Sequence, residues 1–134
     1  MAGTGANWEI VFDGGSKGNP GRGYGSFRLR PTGGEWEPPV ELNFEGRRTN
    51  NEAEYLSLTG ALRAQAERVA DPSAVAVTVR GDSKLVLEQL AGNWKVRTAS
   101  LRPYWAEAKA ELERFGRVTM AWHGRDNSVE LLGH

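Results

Sequence analysis

The order of hydrophobic patterns along the chain is the feature that most limits its fold. The first third has the pattern of three β-strands separated by short glycine- or proline-containing turns, and helical periodicity begins only after residue 49. From there, helix-like and strand-like segments alternate. Successive strands with short turns predict an antiparallel meander, and the later alternation adds parallel strands. The sequence therefore predicts an α/β fold with a five-stranded mixed sheet flanked by helices.

Local signals place the boundaries of these predicted elements. Asn50 or Asn51 is the predicted N-cap of the first helix, which ends at Asp71-Pro72. Pro38-Pro39 weakens the start of the third strand, which predicts an edge or a bulge there. Residues 126–134 leave room for only a turn or two of helix. The predicted strands cover residues 8–13, 23–30, 35–45, 74–80 and 118–122, and the later helices cover residues 83–91 and 100–115.

Length and composition narrow the class of protein. With 134 residues the chain is expected to form one domain, 1–134, with residues 1–6 disordered. The absence of cysteine excludes disulfides, zinc–thiolate sites and thiol nucleophiles. Because no apolar stretch is long enough to span a membrane and no secretory signal opens the chain, we expect a cytoplasmic protein, and a monomer. Seventeen basic residues balance seventeen acidic ones, so a nucleic acid would have to bind a locally basic or metal-neutralised face.

Three carboxylates stand where predicted elements begin or end. Asp13 closes the first strand and opens a glycine-rich turn at residues 14–21, and Asp82 follows the fourth strand. Glu54 lies one turn inside the first helix, on the core-facing side of its apolar stripe. Residues at strand ends and helix starts can converge in space. Because a converging acidic cluster is costly without a cation, these residues predict Mg²⁺ or Mn²⁺ held by oxygen ligands.

Four motifs follow one another in a recognisable order. They are Asp13-Gly14-Gly15-Ser16 with Gly18-Asn19-Pro20-Gly21, Thr49-Asn50-Asn51-x-x-Glu54, Gly81-Asp82-Ser83, and Trp94-Lys95-Val96-Arg97. In this order and spacing, over residues 8–122, the chain resembles type 1 ribonuclease H, in the shorter archaeal and bacterial form without a hybrid-binding domain. The resemblance implies an endoribonuclease that hydrolyses the RNA strand of RNA–DNA hybrids with two Mg²⁺ ions, for which Mn²⁺ can substitute, and without strong sequence specificity.

The resemblance also implies roles for individual residues. Asp13 would bridge the two ions, while Glu54 and Asp82 would each hold one. Two ions about 4 Å apart can serve both ends of an in-line displacement at phosphorus. The implied substrate contacts are Gly14, Gly15 and Ser16 near ribose hydroxyls, Asn19 and Asn51 in the groove, Thr49 at a DNA-strand phosphate, and Trp94, Lys95 and Arg97 along the DNA strand.

Purely structural interpretations of the same residues stay open. Residues 14–21 also fit a simple tight hairpin loop, and Trp94 also fits a core tryptophan beside a solvated charge pair. His123 follows Trp122 directly, which matches poorly the mobile histidine of the family. We therefore interpret His123 as structural.

The C-terminal motif departs from the family. Members usually end with Arg-Glu-x-Asn-x-x-Ala-Asp-x-Leu-Ala, whereas Leu132 stands here at the expected aspartate. Asn127 or Glu130 could supply the fourth ligand. We predict Asn127, because it lies closer to the end of the last strand, and an amide ligand would bind the metal more weakly. The alternative is that Asn127 caps a helix and Glu130 lies on the surface.

Other functional classes remain to be separated from this one. A module that holds hybrid without cutting it would explain the missing fourth aspartate. Another nuclease or strand-transfer enzyme of the same fold, such as a resolvase or integrase core, would share the carboxylates but matches the other motifs less well. A sugar- or nucleotide-binding α/β domain has little support, since no phosphate loop with the required lysine follows a strand.

Overall fold

Residues 7–133 are described by a computed structural model. Within them, five strands form one mixed sheet in the order β3-β2-β1-β4-β5, with antiparallel β1–β2 and β2–β3 pairs and parallel β1–β4 and β4–β5 pairs. The predicted five-stranded mixed sheet is confirmed. The predicted disorder of residues 1–6 concerns a segment outside the described residues. The strands are β1 (Asn7–Lys17), β2 (Gly21–Pro31), β3 (Val40–Arg48), β4 (Ala76–Gly81) and β5 (Arg117–Trp122).

Helices cover both faces of the sheet. Alternate side chains of β1, such as Ile10 and Phe12, pack with Leu58 and Leu62 of the first helix in the main core. Val11 points to the opposite face, where the short last helix contacts β1 and β2. No helix among residues 7–133 has both the length and the apolar composition to cross a bilayer. The helices are α1 (Asn50–Glu67), α2 (Lys84–Ala91), α3 (Arg102–Leu112) and α4 (Arg125–Leu132), with single 3₁₀ turns at Pro72–Ala74 and Ala99–Leu101.

The glycine-rich segment after Asp13 is a strand and not the predicted turn. Gly14, Gly15 and Ser16 continue β1 and pair with β2, and the chain reverses only at residues 18–20. Glycine usually weakens a strand, but here it admits α1. A Cβ at Gly14 would lie 2.6 Å from the Ala53 carbonyl oxygen. The glycine signal therefore reports close helix–sheet packing as well as a turn.

Several other boundaries differ from the prediction by a few residues, and two of the differences have a clear physical cause. The N-cap of α1 is Thr49, whose hydroxyl accepts a hydrogen bond from the Glu52 amide at 3.1 Å, while the Glu52 carboxylate accepts one from the Thr49 amide at 2.9 Å. This reciprocal capping box displaces the predicted asparagine caps. The third strand begins at Val40 and not at residue 35, because Pro38-Pro39 offers no backbone donors; β3 is an edge strand, as the prolines predicted.

A candidate active site of three carboxylates

The three carboxylates predicted to converge do meet. Asp13, Glu54 and Asp82 each offer an oxygen, and these atoms all lie within 4.8 Å of one another. The sheet explains two of them: β1 and β4 are parallel neighbours in which Val11 pairs with Arg80, and Asp13 and Asp82 each lie two residues beyond that pair. The third comes from α1, whose first turns pack on β1 at Gly14. The convergence is thus a consequence of strand order and of one close helix–strand contact.

The cluster is crowded with negative charge. Asp13 is 2% exposed, and Glu54 and Asp82 are half-buried. Burial, and then the charges of Asp13 and Asp82, raise the pKa of Glu54 to about 8, against the hydrogen bond from Ser83 and the charge of Arg125. Without a cation, the site therefore retains a proton at neutral pH. Convergent, partly desolvated carboxylate oxygens are the donor set that suits Mg²⁺ or Mn²⁺, so the residues fit a divalent metal.

Arg125 is a component of this site that was not predicted from the sequence. It opens α4, and its Nη1 donates to Asp13 Oδ2 at 2.9 Å and to Asp82 Oδ2 at 3.3 Å. Its side chain is 58% exposed, so it reaches the carboxylates from the solvent side. The only sequence signal was its place at the head of the C-terminal motif. A guanidinium here offsets part of the repulsion among the acids.

Helix α4 does not bring a fourth carboxylate into the cluster. Among residues 7–133, Glu130 is not a member of the group that Asp13 forms with the other two acids. Asn127 and Glu130 are both exposed on α4, while Ser128 and Leu132 are buried one turn apart. Leu132, at the position of the expected aspartate, is therefore part of the buried side of this helix. The assignment of the fourth ligand to Asn127 stays a prediction.

His123 lies beside the cluster but is held by the protein. Its Nε2 is 2.9 Å from the buried Ser128 Oγ, and its backbone amide donates to the Gly81 carbonyl at 3.0 Å. Burial lowers the pKa of His123, against the charge of Asp82. These contacts support the structural interpretation, in which the histidine fastens α4 to the end of β4.

Ser16 and Asn19, two of the predicted substrate contacts, form a hydrogen-bond network with Asn50 at the start of α1, the helix that carries Glu54. Asn50, predicted only as a possible cap, accepts from both the amide and the hydroxyl of Ser16 through Oδ1, at 2.9 and 3.0 Å. The Asn50 backbone amide donates to Asn19 Oδ1 at 3.1 Å. The β1–β2 turn is thereby tied to the start of α1. Asn19, Thr49, Asn50 and Asn51 line a depression of about 360 Å³ together with Thr98, Ser100 and Leu101.

A larger cleft continues from that depression along α2. Its volume is about 600 Å³, and it shares Asn51, Thr98 and Leu101 with the first depression. The predicted aromatic-plus-basic patch, Trp94, Lys95 and Arg97, lies on its wall. Trp94 is 43% exposed, so it is not the core tryptophan of the alternative interpretation. Uncharged polar groups therefore line the depression at the start of α1, the helix that carries Glu54, and basic and aromatic groups line the adjoining cleft.

Comparison with known proteins assigns the chain to a family. The profile of the family described as reverse transcriptase-like matches residues 11–130. The crystal structure of RNase H1 from the halophilic archaeon Halobacterium salinarum is similar, with a TM-score of 0.81 and 32% identity, over 90% of this chain and 88% of that one. The chain belongs to the type 1 ribonuclease H family.

Two further ribonuclease H structures are similar to it. The N-terminal RNase H domain of Rv2228c from Mycobacterium tuberculosis has a TM-score of 0.82 and 31% identity, over 93% of this chain and 87% of that one. LC11-RNase H1, isolated from compost and solved in complex with an RNA/DNA hybrid, has a TM-score of 0.81 and 27% identity, over 92% and 89%.

The chain spans about half or less of the curated relatives it matches. It covers 53% of Ribonuclease HI from H. salinarum and 30% of the Bifunctional protein Rv2228c, with 37% identity over 83% and 84% of this chain, respectively. The family assignment therefore rests on the ribonuclease H region, and the activities of the longer proteins are not carried over with it.

Because Glu54 holds a proton in the folded protein, we expect the stability of this ribonuclease H domain to depend on pH. Because the pKa of Glu54 rises from 4.5 to about 8 on folding, the folded, metal-free protein binds a proton that the unfolded chain has released, and stability falls as pH rises through that window. We expect the thermal midpoint in EDTA to fall from about pH 5 to about pH 8.5. Glu54→Gln should remove most of that fall, as differential scanning fluorimetry would show.

Added Mg²⁺ provides the matched test of the same idea. Cation binding requires the ionised carboxylate, so Mg²⁺ should raise the midpoint of the wild-type protein more at high pH than at low pH. A pH profile shared by the wild type and Glu54→Gln, with equal Mg²⁺ effects across it, would show that Glu54 does not hold the proton.

Proposed function

We propose that this chain is an endoribonuclease that hydrolyses the RNA strand of RNA–DNA hybrids with two divalent cations, Mg²⁺ or Mn²⁺. The observation that carries the proposal is the meeting of Asp13, Glu54 and Asp82 within 4.8 Å at one edge of the sheet. When bound there, the cations would supply the Lewis acidity and the activated water that phosphodiester hydrolysis needs.

The chain's own residues prepare the site for this chemistry. Asp13 is the most buried of the three acids. It lies on β1, between α1, which carries Glu54, and β4, which leads to Asp82, and this central place suits a ligand shared by both ions. Glu54 must release its proton to bind a cation, and Ser83 and Arg125 both favour the ionised form. Arg125 is exposed at the mouth of the site, where its guanidinium can also contact a phosphate oxygen of the substrate.

The proposed substrate recognition rests on the depression at the start of α1 and on the cleft that adjoins it. The depression is lined mainly by amides and hydroxyls, which suit ribose hydroxyls and phosphate oxygens more than base edges. The cleft wall formed by Trp94, Lys95 and Arg97 offers a locally basic strip on a chain with zero formal net charge. We assign the RNA strand to the asparagine side of the depression, and the DNA strand to Thr49 and the adjoining cleft wall. Contacts of this kind carry little sequence information.

A panel of substrates tests the proposal. Hybrid, duplex RNA and duplex DNA of one sequence are incubated with the protein and Mg²⁺, with each strand end-labelled in turn. We expect cleavage of the RNA strand of the hybrid at many positions and no comparable cleavage of either duplex. Equal cleavage of duplex DNA would replace the proposal with a general nuclease of the same fold.

A second candidate function rests on one observation. Only three carboxylates of the described residues meet at the site, and Leu132 is buried where the family has its fourth. This favours a module that binds hybrid without cutting it. The same panel separates the two: tight binding of hybrid in a gel-shift assay with no cleavage in Mg²⁺ or Mn²⁺ would identify a binding module.

Variants of α4 determine which residue completes the site. If Asn127 is a ligand, Asn127→Ala should raise the Mg²⁺ concentration for half-maximal cleavage by about tenfold or more, and Asn127→Asp should lower it by restoring charge. Glu130→Gln is then the control and should change little. The reverse order would assign the role to Glu130. If neither substitution alters the metal dependence, the enzyme works with Asp13, Glu54 and Asp82 alone.

A further inference from the structure

A buried glutamine connects the carboxylate helix to the basic cleft wall. Gln89 lies in α2 and is 5% exposed. Its Oε1 accepts a hydrogen bond from the Tyr55 hydroxyl at 2.5 Å, and its Nε2 donates to the Lys95 carbonyl at 3.3 Å. One side chain thus contacts both α1 and the segment after α2. The proposed chemistry does not use Gln89.

The segment that Gln89 holds has no regular secondary structure. Residues 92–98, called here the cleft loop, follow α2 and begin with the left-handed Gly92 that ends it. The loop carries the exposed Trp94, Lys95 and Arg97 side chains. Its first part is anchored by the Trp94 amide, which donates to the Glu88 carbonyl at 3.2 Å. Such a loop has few backbone bonds, so each side chain that fixes its course has a large share in its order.

Tyr55 ties this anchor to the carboxylate cluster. It is fully buried, directly follows Glu54 in α1, and donates its hydroxyl inward to Gln89. The Gln89 backbone carbonyl also accepts from Trp105 Nε1 at 3.3 Å, so α2 is fastened to α3 at the same residue. A buried polar chain whose members are all satisfied is costly to disturb and holds one geometry.

We propose that Gln89, held by Tyr55, is a positioning residue that fixes the cleft loop relative to the carboxylate cluster. A hybrid bound by the loop is then correctly aligned with the three acids. This inference rests on the proposed function for its consequence, since the loop is there assigned to the DNA strand. The anchoring itself is a property of the protein alone and can be measured without substrate.

Endoproteinase Lys-C reports the anchoring directly. The chain has four lysines; Lys17 lies in β1, Lys84 in α2 and Lys109 in α3, while Lys95 alone of the four lies in the cleft loop. Gln89→Met keeps the length of the side chain and removes both hydrogen bonds. We expect cutting between Lys95 and Val96, followed by mass spectrometry, to become about three- to tenfold faster, the range that one lost hydrogen bond supports.

The kinetic readout separates positioning from general damage. With hybrid as substrate, Gln89→Met should raise KM by a similar factor of about three to ten. The value of kcat at saturating hybrid should stay within about twofold of the wild type, because the carboxylates are untouched. Tyr55→Phe keeps the hydrogen bond between Gln89 and Lys95 and removes only the one from the Tyr55 hydroxyl to Gln89. The effects of Tyr55→Phe should therefore lie between those of the wild type and Gln89→Met.

Gln65 supplies a matched control. It is a second fully buried glutamine, near the far end of α1, and neither atom of its amide has a hydrogen-bond partner among residues 7–133. Gln65→Met makes the same chemical change without touching the cleft loop. We expect it to leave both the Lys-C rate and KM at wild-type values.

The two readouts distinguish the failure of this inference from the failure of the proposed function. If Lys-C cuts Gln89→Met no faster than it cuts the wild type and Gln65→Met, Gln89 does not anchor the loop and the inference is wrong. The inference is also wrong if kcat falls while KM stays constant. If Lys-C cutting rises as expected but the wild-type protein neither binds nor cuts hybrid, the anchoring stands and the proposed function is wrong.

Discussion

Asp13→Asn should abolish cleavage of RNA–DNA hybrid, with a loss of at least about a thousandfold in rate, or about 4 kcal/mol of transition-state stabilisation. Asp13 is the most buried acid of the cluster and the proposed ligand of both cations, so its neutralisation weakens both. The substitution keeps the shape of the side chain. Cleavage of an end-labelled hybrid measures the rate, and a gel shift in Ca²⁺ measures binding, which should change little.

Folding is expected to survive this substitution. The charge of Asp13 repels the neighbouring Glu54 and helps to raise its pKa, so removing that charge offsets the lost bond to Arg125. The thermal midpoint in EDTA should therefore stay within a few degrees of the wild type. Asp71→Asn is the matched control, since Asp71 is an exposed acid that caps the 3₁₀ turn beyond α1. Cleavage by Asp13→Asn at near the wild-type rate in Mg²⁺ would contradict the two-metal assignment.

Removing ribose hydroxyls around one scissile bond should block cleavage there. Where a site is built to hydrogen-bond a hydroxyl, a substrate that lacks it leaves polar groups unpaired, and discrimination of at least about a hundredfold results. The depression lined by Asn19, Asn50 and Asn51, at the start of the helix that carries Glu54, is the proposed site of that kind. A hybrid whose RNA strand carries a short run of 2′-deoxy nucleotides should be cut on either side of the run and not within it.

The flanking ribonucleotides of that substrate act as an internal control, because enzyme, metal and hybrid are the same for every bond in the strand. Uniform cleavage through the deoxy run would show that the protein does not recognise the ribose hydroxyls. The substrate preference would then come from the shape of the duplex and the basic cleft wall alone.

The convergence of the acids could be predicted because it depends on rules that act along the chain. Asp13 and Asp82 each follow an apolar β-like run, and the apolar stripe of α1 turns Glu54 toward the core, so convergence of the three acids was a natural expectation. The mixed character of the sheet follows from a meander followed by alternating helix and strand. These inferences needed only local periodicity and the known geometry of parallel strands.

The features that the sequence did not reveal depend on contacts between distant segments. Gly14 looks like a turn residue, because nothing local shows that the Ala53 carbonyl will lie against it. Arg125 reaches Asp13 across 112 positions, and Gln89 reaches Tyr55 across 34. A capping box at Thr49 outcompeted two adjacent asparagines, although asparagine is at least as good a cap on its own. The fourth ligand remains a prediction, because α4 presents two exposed candidates and no buried one.

A hybrid with a different dye on each strand shows whether the protein is a metal-dependent ribonuclease H. The wild-type protein is mixed with it first in EDTA and then with excess Mg²⁺, and both strands are resolved on one denaturing gel. We predict no cleavage in EDTA and, after Mg²⁺ is added, fragmentation of the RNA strand at internal positions while the DNA strand stays intact. Cleavage in EDTA, or cutting of the DNA strand at a similar rate, would contradict the proposed function.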